Sequence, residues 1–144
     1  MKSSVYHTKT MIILASVVTL VCSLSVPEPR KAPPEVVAKW NEMVMPYHEL
    51  CLNETHIDPE PIIHMLSYYA TIPEEREIHC YWKCFQEHAK FISNGKVDLD
   101  FMVKTAYNLS RELAEKCVVL GDGETDLCQK SYIIVKCIVM DGVV

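Results

Sequence analysis

Glycine is scarce in this chain: four in 144 residues, none in a phosphate-cradling loop. A P-loop or a dinucleotide fingerprint, which need clustered glycines for close backbone approach, is excluded. HExxH and GxSxG are missing too, which removes the usual zinc-protease and hydrolase-elbow chemistries. Basic charge is short: Lys plus Arg number 14 against 19 Asp plus Glu, a formal charge of -5. That balance argues against nucleic acid as a partner, since its recognition needs a basic face. No internal repeat or low-complexity tract occurs, and the length suits one domain rather than two. What the chain has in excess is cysteine, seven in all, a count that points to an oxidising, extracellular setting.

Residues 1–25 read as a secretory signal peptide. Lys2 and Lys9 supply the positive start, and Met11 to Val21 is apolar apart from Ser16 and Thr19. The run is short of the ~20 residues that cross a bilayer. Ser23 and Ser25 are small residues at the spacing that cleavage requires, so the mature domain is expected over 26–144. Removal of Lys2 and Lys9 takes the formal charge to -7, and removal of Cys22 leaves an even set of six cysteines. An even set in an exported chain reads as three disulfides.

The rest reads as all-α. Apolar residues recur at a helical period from Val36 through Trp40, Met43, Val44 and Tyr47, with Pro46 expected to kink or end that helix. A loop is expected after Cys51. Asp58 is placed to cap a second helix carrying Ile62, Ile63, Met65 and Leu66. The third helix, from about Glu75 to His88 or Phe91, puts Cys80, Cys84, Tyr81, Phe85 and Ile78 on one arc. His79, Lys83, Gln86 and Lys90 fall on the other. Asn94-Gly95 is a turn, Asp98 and Ser110 cap the fourth and fifth helices, and Gly121-Asp122-Gly123 breaks the chain. Thr125 or Asp126 then opens a sixth helix to about Met140. It is apolar nearly all round and hence central, with strand the alternative for its β-branched residues.

Helix geometry restricts the cysteines. Cys128 and Cys137 lie nine residues apart on one helix, about 13.5 Å at ~1.5 Å per residue and too far to bond. Cys80 and Cys84 are one turn apart with nearly parallel Cβ directions, which also disfavours a mutual bond. Ten of the fifteen possible pairings remain.

The cysteines fall as C-x28-C-x3-C-x32-C-x10-C-x8-C. This spacing resembles the insect odorant-binding and pheromone-binding proteins, most sharply in the x3 and x8 gaps. Cys80-Tyr81-Trp82-Lys83-Cys84, Asn94-Gly95-Lys96-Val97-Asp98 and the run from Asp126 through Tyr132 to Cys137 are similar to that family as well. The resemblance implies a compact six-helix box around an apolar cavity. It also implies interlaced disulfides: Cys51 to Cys84, Cys80 to Cys128 and Cys117 to Cys137. It further implies a secreted, non-enzymatic carrier of small hydrophobic odorants or pheromones in extracellular fluid such as sensillar lymph. Such a carrier is a monomer or weak homodimer, needs no cofactor, and has a membrane chemoreceptor as a further partner. The runner-up is a secreted disulfide-rich helical module that binds a protein partner and has no ligand cavity.

Inner helix faces nominate the lining of such a cavity: Met43, Tyr47, Met65, Leu66, Phe85, Met102, Ala106, Leu113, Ile134 and Ile138. Tyr107 and Tyr132 could offer hydroxyls to a ligand oxygen. Trp40 and Trp82 are expected as half-buried seals between helices. No histidine pair has metal-ligand spacing, and cysteines in an oxidising compartment serve as disulfides, so no metal is expected. His79-Cys80-Tyr81 lacks the neighbouring aspartate that a secreted phospholipase uses. Glu74, Glu75 and Glu77 read as a solvated first turn. Asn53-Glu54-Thr55 and Asn108-Leu109-Ser110 fit the glycosylation pattern, Asn53 in an expected loop and Asn108 near a helix junction. Five mature histidines among carboxylates would let acid loosen loops and a lid formed by Ile138 to Val144. In the rival reading those histidines are solvated and indifferent to binding.

Terminal sequencing of the protein secreted by insect cells should read from Val26. A start at Leu24 would move the cleavage to Ser23, and a retained Met1 would overturn the signal-peptide reading.

Overall fold

Four of the helices in the computed structural model begin on a side chain that accepts a hydrogen bond from a free N–H of the first turn. The structure describes residues 31–69 and 71–142, so the expected signal peptide lies outside the described residues. Among these, six helices follow one another: α1 (Pro34–Thr55), α2 (Pro59–Tyr68), α3 (Arg76–His88), α4 (Leu99–Thr105), α5 (Arg111–Gly121) and α6 (Leu127–Asp141). Asp58 accepts from Glu60 N–H, Asp98 from Phe101 N–H, Ser110 from Leu113 N–H, and Asp126 from both Cys128 and Gln129 N–H. Each cap satisfies donors that a helix start would otherwise leave orphaned. No helix of the described residues is long and apolar enough to cross a membrane.

α1 departs from expectation. It neither ends at Pro46 nor gives way to a loop after Cys51, but runs 22 residues to Thr55. Proline inside a helix removes one backbone hydrogen bond and costs about 3 kcal/mol. Burial on both sides of it offsets that cost: Val36, Trp40, Val44, His48 and Cys51 form one buried stripe. His48 is fixed within it, its Nδ1 2.9 Å from the Tyr81 hydroxyl on α3. Asn53 therefore stands exposed in the last helical turn rather than in a loop. α2 is tied back to α1 through Asn41, which donates to the Leu66 carbonyl and accepts from the Tyr69 hydroxyl, each at 2.9 Å.

The expected turn at Asn94-Gly95 is closed by a minimal antiparallel pair, β1 (Ile92–Ser93) with β2 (Lys96–Val97). Both central residues have positive φ, 51° and 74°, as the tight hairpin turn that matches strand twist requires.

Three disulfides hold the frame: Cys51–Cys84 joins α1 to α3, Cys80–Cys128 joins α3 to α6, and Cys117–Cys137 joins α5 to α6. The fold is the six-helix, three-disulfide box that the resemblance implies, with the bonds interlaced. α6 is helical and packs against both α3 and α5. α3 differs from its wheel. His79 and Gln86, placed on its polar side, are 8% and 1% exposed. The reason is that α3 has two neighbours: α1 takes Cys84 and Tyr81, and α6 takes Cys80, His79 and Gln86. His79 stacks on Tyr132 of α6 with ring centroids 3.8 Å apart, and Lys136 Nζ lies over the same ring, 5.3 Å from its centroid.

Two predictions follow from this packing. Replacing Cys51 and Cys84 together by Ala should lower the unfolding free energy by about 2–4 kcal/mol in a urea titration; an unchanged midpoint would contradict the α1–α3 tie. The second concerns acid. Burial pushes the His79 imidazole below its ordinary value of 6.5. The unfolded chain then binds a proton that the fold does not, so stability falls as pH drops below about 6.5. Lys136 holds the Glu74 carboxyl low and Arg76 holds that of Asp126 low. Their contributions are lost in a separate window, below the ordinary values of 4.5 and 3.8. The Tm should therefore be lower at pH 5.5 than at pH 7.5, and His79→Phe should flatten the difference. An equal fall in the variant would place the effect elsewhere.

Candidate ligand-binding site

Facing sides of α1, α3, α5 and α6, closed by α4 and the α4–α5 junction, leave a cavity of about 60 Å³. At ~10–15 Å³ per water centre this is room for a few waters. Its wall is apolar and aromatic, with Gln86 and Asn108 the polar exceptions. Tyr107 and Asn108 stand exposed at one edge. Asn108 takes the left-handed conformation, φ 57°, that lets the chain turn from α4 into α5. Trp40 ties that edge to α1 by donating from Nε1 to the Tyr107 carbonyl at 3.0 Å.

Eight of the twelve nominated side chains meet at this wall: Met43, Phe85, Met102, Ala106, Tyr107, Leu113, Ile134 and Ile138. The other four lie elsewhere. Tyr47 packs beside Phe85 and His88, Met65 and Leu66 are buried in the core under α2, and Tyr132 faces His79 at the α3–α6 seam. Both tryptophans line the cavity and are fully buried, Trp40 at 5% and Trp82 at 2% exposure, not half-buried seals. Gln86, Phe91, Val135 and Val139, not among the nominated residues, also stand in the wall. The spacing of Trp82, Phe85 and Gln86, three and four residues apart, was the available signal, since it places them on one helical face.

Tyr69, at the end of α2, also reaches the wall. Burial pushes its phenol well above the ordinary value, so it stays a neutral donor to Asn41. The segment expected as a lid is a wall instead. Ile138 and Val139 belong to the last turns of α6, with Gly142 directly after it, and all three line the cavity; residues 143–144 lie outside the described residues. The histidines are not gathered here either. His48 pairs with Tyr81, and His88 lies 3.1 Å from Glu54 on α1.

Glu54, Cys84 and His88 bring three potential metal-ligand atoms within 4.8 Å of one another. Cys84 sulfur is bonded to Cys51, so the group has no thiolate to offer a metal. Asn53 and Asn108, the two glycosylation candidates, are both exposed.

A model of the PBP/GOBP family matches residues 34–141, from the start of α1 to the end of α6. General odorant-binding protein 84a of Drosophila melanogaster is 32% identical over 59 residues, which is 41% of this chain and 34% of that protein. The matched segment thus spans about a third of that relative's length.

Proposed function

The chain belongs to the PBP/GOBP family, and from that membership we propose that it is an extracellular carrier that binds small hydrophobic molecules reversibly and transforms none of them. The observation that carries this reading is the cavity, lined almost wholly by apolar and aromatic side chains contributed by several helices. An apolar wall favours burial of hydrocarbon at ~25 cal/mol per Å². The three disulfides support it, since a frame stapled between α1, α3, α5 and α6 tolerates a void that a marginal domain would collapse.

At about 60 Å³ the cavity is smaller than a volatile odorant or pheromone. Loading it requires the wall to yield, and Met43 and Met102 are the side chains suited to that. Methionine is unbranched and repacks at low cost. Residues 1–25 are a signal peptide in this reading, the mature protein works as a monomer or weak homodimer in fluid such as sensillar lymph, and a chemoreceptor receives the cargo. The small void is the one observation favouring a second reading, a disulfide-closed module that binds a protein partner.

A displaceable naphthylamine probe separates the two. The carrier should take it up saturably at micromolar concentration and release it to volatile alcohols, aldehydes or esters. Ala106→Phe, which fills the partly exposed end of the cavity, should weaken uptake about tenfold or more, roughly 1.4 kcal/mol, without loss of helical signal. A folded, oxidised protein that takes up no probe would leave the protein-binding module.

A further inference from the structure

The chain has two tryptophans, and both line the cavity. Their indole N–H groups are in opposite states. Trp40 donates to the Tyr107 carbonyl, whereas Trp82 Nε1 is buried and finds no hydrogen-bond partner among the described residues. One turn further along α3, Gln86 is in a related position. Its Nε2 donates to the Ser131 carbonyl at 3.0 Å, and its Oε1 is buried with no partner among the described residues. A backbone carbonyl can only accept, so the carboxamide orientation is fixed with nitrogen toward Ser131 and oxygen left over. Residues four apart on a helix are surface neighbours. Trp82 and Gln86, both residues of the cavity wall, therefore carry one unused donor and one unused acceptor, each buried behind an otherwise apolar lining.

We infer that Trp82 and Gln86 form a polar anchor that selects ligands with a hydroxyl group. A hydroxyl oxygen accepts from the indole N–H while its proton is donated to Gln86 Oε1, so one alcohol satisfies both atoms. An aldehyde or ester satisfies only the indole, and a hydrocarbon satisfies neither. Buried polar atoms left unpaired discriminate more strongly than a change of one methylene in an apolar wall. A water that bridges the pair in the empty protein changes nothing in this order, because an alcohol replaces its hydrogen bonds in kind and an alkane does not. The inference rests on the carrier reading above and names its ligand class.

The test uses the full oxidised mature chain, the naphthylamine probe and three competitors of equal carbon number: 1-hexanol, hexanal and hexane. 1-Hexanol should displace the probe at about tenfold lower concentration than hexanal, and hexane should be weaker again. Gln86→Met, which keeps length and removes the acceptor, should bring 1-hexanol to the level of hexanal. In 15N-correlated spectra two indole N–H resonances are expected. That of Trp82, identified by its loss in Trp82→Phe, should move downfield with 1-hexanol and hexanal and not with hexane. The already bonded Trp40 resonance should not distinguish the three. Should Trp82→Phe fail to fold, the Gln86→Met competition decides alone. Equal displacement by all three ligands overturns the anchor and leaves the carrier standing. An alcohol preference that survives Gln86→Met also overturns it. A folded protein that takes up no probe overturns the carrier reading and the anchor with it.

Discussion

Cys80 and Cys84 stand one turn apart on α3 and bond in different directions, Cys84 to α1 and Cys80 to α6. A helix pinned on two sides by covalent bonds cannot rotate to show solvent a single polar face. Its remaining side chains are buried by whichever neighbour covers them. This explains why Ile78, Tyr81 and Phe85 are interior, as any amphipathic helix would have them, and why His79, Trp82 and Gln86 are interior as well. The third bond, Cys117–Cys137, then fixes α5 against the helix already fixed to α3. Gly121 permits that approach: a Cβ there would lie 3.1 Å from Ile134 Cγ1.

The energetic scales agree with this arrangement. At about 24 cal/mol per Å³, a void of about 60 Å³ costs roughly 1.5 kcal/mol. One disulfide restricting the unfolded chain contributes about 2–4 kcal/mol. A single cross-link thus offsets the void, and two remain for the ordering of so small a domain. The surface ion pairs contribute less. Lys39–Glu42 is exposed on one face of α1, where solvent screens the attraction and the pair adds little.

Much of this was legible in the sequence because the signals are local. Asp58, Asp98 and Ser110 each cap the helix they were expected to cap, and of Thr125 and Asp126 it is Asp126 that caps the sixth. A cap depends on residues two or three positions away, all of which the sequence displays. The turn at Asn94-Gly95 is local in the same sense. The box and its disulfide pairing became legible only through the family resemblance, since geometry alone left ten pairings open. What was not legible depends on a second neighbour. Helical periodicity reports one buried face, so it assigned Gln86 and His79 to solvent. The persistence of α1 past Pro46 depends on Tyr81 and Cys84 of α3, more than thirty residues away. For the same reason Met43, Phe85 and Ile134 meet at the cavity wall, whereas Met65 and Leu66 are buried under α2, Tyr47 packs on Phe85 and His88, and Tyr132 packs on His79.

Access to the cavity is constrained unequally at its two ends. Ile138 and Val139 lie within the last turns of α6, which the Cys117–Cys137 bond and the Lys116–Asp141 pair at 2.8 Å hold to α5. Freeing that wall means unwinding a helix against a covalent tie. At the other end, α4 is a helix of seven residues that packs mainly on α5. The junction after it is fastened to α1 by the hydrogen bond from Trp40 to the Tyr107 carbonyl, a contact worth about 1 kcal/mol net. Opening is therefore cheapest at residues 106–109, next to the flexible Met102. Trp40, whose N–H is engaged by the Tyr107 carbonyl, is thus the wall residue that fastens the end of the cavity most easily opened.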